Sequence, residues 1–272
     1  MNLEWKQYKI KYNSNDEFEL ICSKLNDFCI ETIIYDDFTI TFYSRDISIL
    51  NKIGDFLKSI NNEQEIIVSD IDNSWEKKLH GDFKAVEAGE YVVLSKDYID
   101  EYKGNLKQII INPAQAFGSG QHATTKQCLE LIQNIVKNEN IKSFLEPGCG
   151  TSILSLLAYK LSIKDILAFD YDYTSMINAK ENQILNNADY NIICSGLTPM
   201  KNKYQLVCAN IFAHVLINNK NIINDYIEDG GFVILSGIEI NQGDEIEKEF
   251  AFLNLLKTVE YNGWKTFLYR KN

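Results

Sequence analysis

Apolar residues in the first 69 positions follow two periods in turn. LEWKQYKIKY alternates with period two and predicts a strand. NDEFELICSKLNDF brings Phe18, Ile21, Cys22 and Leu25 onto one face of a helix. CIETIIYDDFTITFYSR predicts two strands about an Asp-Asp turn. DISILNKIGDFLKSI predicts a second amphipathic helix with Asp46 as its N-cap, and EQEIIVSDI a closing strand. The order β-α-β-β-α-β is that of a split β-α-β sandwich, residues 1–69.

Residues 70–103 have a different texture. DNSWEKKL predicts a short helix and FKAVEAGEYVVLSKDY a hairpin about Ala88-Gly89. The stretch is poor in Pro and Ser, which predicts a structured linker. From residue 104 strand-like and helix-like runs alternate: KQIIINP, TKQCLELIQNIVK, KSFLEPG, SILSLLAYKL, DILAFDYD, TSMINAKENQILNN, NIICSG, YQLVCANI, HVLINNKNIINDYI and GGFVILSGI. This rhythm predicts a mostly parallel sheet covered on both faces over residues 104–272. A charged helix, DEIEKEFAFLNLL, precedes two last strands joined at Asn262-Gly263, the signature of an antiparallel hairpin.

Composition narrows the class. The 272 residues are 45% hydrophobic and 24% charged, enough for two ordinary domains that need no disulfide or metal. No apolar run approaches the roughly 18 residues of a membrane helix. MNLEWKQYKIKY lacks the apolar core of a signal peptide and reads as mature protein. Cysteines 22, 29, 128, 149, 194 and 208 show no metal-ligand spacing and predict buried thiols of a cytoplasmic protein. A net charge of −11 argues against direct nucleic-acid binding. It suits either plain solubility or attraction of a basic protein partner.

Four motifs carry candidate chemistry. Glu146-Pro147-Gly148-Cys149-Gly150 turns from an apolar strand into an apolar helix, where small residues let backbone approach a ligand. Ser152 stands where a phosphate-binding glycine fingerprint has its third glycine, and no P-loop lysine follows. Asp170 ends the next strand, 20–22 residues beyond the glycines, and suits two ribose hydroxyls. That spacing fits a nicotinamide dinucleotide as well as an adenosine-type sulfonium cofactor, and a solvated strand-end Asp is the plain alternative. Asp172 reads as a turn or helix cap. Asn210, ending LVCAN, either offers its amide to a ligand or shapes a turn. The loop Phe117-Gly118-Ser119-Gly120-Gln121-His122-Ala123-Thr124-Thr125 precedes a helix that Thr124 or Thr125 can cap, and the helix-start amides can hold a carboxylate. His122 invites a base reading, with a capping role at least as well supported.

AFGSGQHATTKQCLELI, FLEPGCGTSILSLLAYKL, AFDYDYTSMINAKENQILNN, VCANIFAHVL and GGFVILSGI follow one another in the order and spacing of a known family. The chain resembles the bacterial methyltransferases that modify protein eleven of the large ribosomal subunit. The FGxGxHxTT loop is the specific part. The resemblance covers residues 104–270 and extends into the linker through SWEKK and FKAVEAGEYVVL. It implies a Rossmann-like class I methyltransferase fold, a mostly parallel seven-stranded sheet ending in the antiparallel hairpin, behind a small ferredoxin-like α+β domain for substrate recognition. It implies S-adenosylmethionine as cofactor, held by Thr125, Gly148, Asp170 and Asn210, with Glu146 and Gly150 of the glycine turn beside them. It implies N-methylation of lysine or N-terminal amines on a large-subunit ribosomal protein. The chain departs from the family at Glu146 and Asn112, each for Asp, at Ser152 for Gly and at Ala123 for Pro. Asn210 is the residue expected to orient the reacting amine or the cofactor. No metal, membrane or second copy of the chain is expected. A nicotinamide oxidoreductase, and a cofactor-fold binder without turnover, are the competing classes.

Overall fold

The computed structural model describes residues 6–12, 14, 17–18, 20–21, 24–25, 33–36, 39–44, 48–60, 66–70, 85–112 and 120–272. The Asp46 cap, the helix expected from DNSWEKKL and residues Phe117, Gly118 and Ser119 lie outside them. The chain divides into two compact units, Met1–Gly81 and Asp82–Asn272.

In the first unit β1 (Lys6–Lys11), β2 (Ile33–Asp36), β3 (Thr39–Ser44) and β4 (Ile66–Asp70) form an antiparallel sheet in the order β2-β3-β1-β4. Helical backbone at residues 17–18, 20–21 and 24–25 precedes β2, and helix α1 (Ser48–Ile60) precedes β4. This is the ferredoxin-like order. Ile21 and Leu25 from the first helical stretch, and Ile53 and Leu57 from α1, pack on Tyr8, Ile10, Ile40 and Phe42 of the sheet. Phe18, Ile21 and Leu25, placed on one face by helical spacing, meet at this core, because the period turns that face toward it, while Cys22 lies outside the described residues.

The second unit opens with a small sheet, β5 (Ala85–Ala88), β6 (Tyr91–Ser95) and β7 (Lys107–Ile111), in that order. β5 and β6 lie within the 70–103 stretch, and all of YVVLS in β6 is buried. Ala88, Tyr91 and Val93 share a core with Ile109 and Ile111 of β7, which ties this hairpin into the second unit.

The large sheet comprises β8 (Ser143–Pro147), β9 (Asp165–Asp170), β10 (Asn191–Cys194), β11 (Tyr204–Asn210), β12 (Ile227–Glu239), β13 (Asn254–Tyr261) and β14 (Trp264–Arg270). Its order is β10-β9-β8-β11-β12-β14-β13. β8 to β12 are parallel neighbours, while β14 runs antiparallel to both β12 and β13. The β13–β14 turn uses Asn262 at φ 50° and Gly263 at φ 84°, the left-handed pair that a tight hairpin needs.

Helices α2 (Ala123–Asn138) and α3 (Ile153–Lys160) bury Leu129, Ile132, Leu154 and Leu157 in one core. That core also takes Ala179 of α4 (Tyr173–Leu185). α5 (Ala213–Asn218), α6 (Lys220–Asp225) and α7 (Gly243–Glu249) bury Leu216, Ile223 and Ile246 in a second core. The central strands β8, β11 and β12 thus have apolar partners on both sides, as a parallel sheet requires. Among the described residues no helix is long and apolar enough to cross a membrane.

Three elements differ from expectation. HVLINNKNIINDYI is two short helices, broken at Asn219 (φ −113°) within its Asn-rich middle, where helix propensity is low. The charged helix stops at Glu249 because Phe250 and Leu253 turn into the core and β13 begins at Asn254. Cys194 is exposed rather than buried, because β10 is an edge strand with little covering it. Cys128, Cys149 and Cys208 are buried, and burial pushes the Cys149 and Cys208 thiols well up, away from reactivity.

Candidate active site

The strand ends of the large sheet bring the motif residues together at its carboxyl edge. β8 leads into Gly148, at φ 67°, where an added Cβ would lie 2.4 Å from Ile211 Cγ2. Only glycine tolerates both conditions. Gly150, at φ 49°, donates its N–H to Asp170 Oδ2 at 2.9 Å. Asp172 N donates to the other oxygen, Asp170 Oδ1, at 3.0 Å. The Asp170 carboxylate is 7% exposed and held from two sides. Each of its oxygens keeps a second lone pair for a hydroxyl donor.

Ser152 adopts the left-handed conformation, φ 60° and ψ 28°, that the expected glycine would take without strain. Its hydroxyl lies 2.9 Å from Tyr190 Oη, both buried, so the hydroxyl added at this turn is hydrogen-bonded rather than stranded. Asp172 caps α4, accepting from Thr174 N at 2.9 Å and Ser175 N at 3.1 Å. The Asn112 side chain donates to Glu181 Oε2 at 3.1 Å, tying the end of β7 to α4.

Glu146 is 2% exposed. Its Oε2 accepts from Ser155 N at 2.8 Å and from Ser155 Oγ. It thereby joins the end of β8 to the first turn of α3 and stiffens the glycine turn between them. Burial pushes its carboxyl up to about 8, against the lowering effect of the Ser155 donors.

α2 begins at Ala123, before either threonine, and the cap is His122. His122 Nδ1 accepts from Thr124 N at 3.4 Å and lies 2.7 Å from Thr124 Oγ1. Its ring meets Trp264 edge-on at 4.6 Å, and burial lowers its pKa. The second amide of α2 is therefore already engaged by a side chain. Thr124 and Thr125 are both fully buried. Thr125 Oγ1 accepts a long bond, 3.4 Å, from Asn210 Nδ2. Asn210 Oδ1 is buried with no protein partner. A buried amide oxygen left unpaired costs on the order of 1–3 kcal/mol, so this atom is fitted to a donor brought by a ligand.

The segment after Asn210 is clamped. Ile211 N donates to Ser236 O at 3.1 Å. Gly237, at φ 83°, comes so close that a Cβ would lie 2.5 Å from Ile211 O. Behind it Ser236 Oγ and Thr266 Oγ1 are 2.6 Å apart, and Thr266 donates to Gln127 Oε1 at 2.8 Å. This polar chain ties β12 and β14 to α2. Sequence reasoning missed Ile211, Gly237, Ser155 and Tyr190. A glycine inside the apolar run FVILSGI was a signal of close backbone approach, while nothing local marked Tyr190.

A sheet in this strand order, with its final strand inserted antiparallel, defines a class I methyltransferase, and the lone pairs left open on the Asp170 carboxylate suit the ribose hydroxyls of S-adenosylmethionine. Comparison with known proteins narrows the class. Residues 17–272 match the family described as ribosomal protein L11 methyltransferase (PrmA), and the chain belongs to that family. It is 32% identical over 234 residues to the ribosomal protein L11 methyltransferase of Campylobacter concisus, covering 84% of this chain and 79% of that one. With the protein of the same name from Campylobacter fetus it is 28% identical over 276 residues, 99% and 98% of the two chains. A crystal structure of ribosomal protein L11 methylase from Lactobacillus delbrueckii subsp. bulgaricus superposes with a TM-score of 0.61 at 26% identity, over 70% of this chain and all of that one.

Proposed function

We propose that the protein transfers methyl groups from S-adenosylmethionine to lysine and N-terminal amines of ribosomal protein L11. The observation that carries this reading is the buried, unpaired Oδ1 of Asn210 at the carboxyl end of β11, beside the Gly148 turn. An amide oxygen accepts an N–H, the kind of bond that orients an amine. The names of the relatives supply the acceptor protein. The net charge of −11 suits a basic ribosomal protein as partner.

The cofactor supplies a methyl group on a sulfonium, already a strong electrophile. What the chain must do is hold a neutral amine in line with it and keep water out. Asp170 and Gly148 hold the donor, Thr125 fixes the Asn210 amide from its Nδ2 side, and Asn210 Oδ1 receives the amine N–H. Deprotonating a free lysine at pH 7 costs about 4–5 kcal/mol. A nearby positive sulfonium and a site of buried side chains favour the neutral amine, so no dedicated base is required. His122 is committed to capping α2. Residues 1–69 serve as the substrate-recognition domain in this reading, and the reaction takes place in the cytoplasm, where ribosomal proteins are made and assembled.

The test is transfer of labelled methyl groups into ribosomes that lack the modification. Label should appear in L11 on lysine or terminal nitrogen, and Asn210→Ala should lower turnover on the order of a hundredfold while the protein still binds cofactor. Label in another acceptor, with none in L11, overturns the substrate assignment.

A further inference from the structure

Phe212 is 70% exposed, yet the backbone that carries it is held rigidly. Its neighbour Ile211 is pressed between the Gly148 turn and Gly237, at distances where neither glycine could carry a Cβ. Two residues upstream, half-buried Asn210 donates to Thr125 Oγ1. Two residues downstream, the His214 ring stacks on the Phe212 ring, with centroids 5.8 Å apart and planes 15° apart. A large aromatic face is thus displayed to solvent at the carboxyl edge of the sheet, in fixed register with the cofactor turn and with the candidate amine-orienting residue.

We propose that the Phe212 face is the wall along which the acceptor amine enters and that it selects for N-methylated ammonium. This rests on the amine-methylation reading and deepens it. Once a lysine has received one methyl, its nitrogen is again cationic at neutral pH and more weakly hydrated. Such a cation is attracted to the face of an aromatic ring, as in methyl-lysine cages. An enzyme that keeps its partly methylated product against such a wall carries out further transfers before release. Each transfer forms an N–C bond, breaks the S–C bond of a fresh cofactor and releases one proton from the ammonium to solvent. Phe212 is a specificity residue, and His214 orients its ring.

The experiment uses the full chain with Phe212→Leu, which keeps apolar bulk and loses the ring, and Phe212→Tyr, which keeps the ring. With L11 as acceptor, Phe212→Leu should shift the product at least fivefold from multiply to singly methylated amine. Phe212→Tyr should retain the original distribution, and the cofactor Kd should stay within twofold for both. A second measurement needs no turnover. By saturation-transfer NMR on protein loaded with S-adenosylhomocysteine, Nε-trimethyllysine amide should bind at least fivefold more weakly to Phe212→Leu. Its neutral isostere, with carbon in place of the quaternary nitrogen, should bind both proteins equally weakly. Equal affinity of ammonium and isostere for the unmodified protein, or an unchanged methyl distribution in Phe212→Leu, overturns the proposal. If L11 proves not to be the acceptor, the substrate reading fails and the NMR comparison alone decides the role of Phe212.

Discussion

Asp170 shows how one side chain can brace a turn and keep lone pairs open beyond it. Its two oxygens hold the amides of Gly150 and Asp172, so the carboxylate is oriented before any cofactor arrives. Preorganisation of this kind removes an entropic cost from binding. Asp170→Ala should weaken S-adenosylmethionine binding tenfold or more, about 1.4 kcal/mol, as two charge-assisted bonds to the ribose are lost. Isothermal titration of the purified variant checks this, and an unchanged Kd would refute the ribose role. The position of Asp170 was legible because it closes an apolar strand. The pre-formed bonds to Gly150 and Asp172 were not, since they depend on where the chain goes after each strand.

At the level of elements, the join between β8 and α3 is braced by two side-chain contacts, Glu146 to Ser155 and Ser152 to Tyr190. Ser152 occupies a left-handed position at a strain of about 1 kcal/mol, and its hydroxyl meets Tyr190 across 38 residues of sequence. Ser152→Gly relieves that strain but leaves the buried Tyr190 hydroxyl without its partner, a cost of about 1–3 kcal/mol. The single change should therefore destabilise, and Ser152→Gly with Tyr190→Phe should recover most of the loss. Urea unfolding of the four members of the cycle measures the coupling, and strict additivity would dismiss it. From sequence Ser152 was only a residue in a glycine's place, because its partner Tyr190 is remote in the chain. The elements themselves were legible: the β-α alternation, the terminal hairpin and the ferredoxin-like order all follow from periods that local residues express. The exposure of Cys194 was not, because edge or centre is decided by strand order and not by the strand's own residues.

For the molecule as a whole, Glu146 makes stability depend on pH in an unusual direction. Its carboxyl titrates near 4.5 when free and at about 8 in the fold. Between those values the folded chain holds a proton that the unfolded chain has released. The stabilising contribution is complete below about 4.5 and disappears as pH rises through about 8. Thermal melts from pH 5 to 9 should show the wild type losing stability relative to Glu146→Gln, which keeps an acceptor for Ser155 but does not titrate. Parallel curves for the two proteins would contradict this account. The order of strands carries a further consequence, for the time course of biosynthesis. β14 emerges from the ribosome after every other strand of its sheet, yet its place is between β12 and β13. Until it arrives, both of those neighbours present bare hydrogen-bonding edges, and Ser236 and Gln127 wait for Thr266. The catalytic unit is thus completed late, by its newest segment sliding into an open slot, and for that interval the nascent chain is the state most in need of a chaperone.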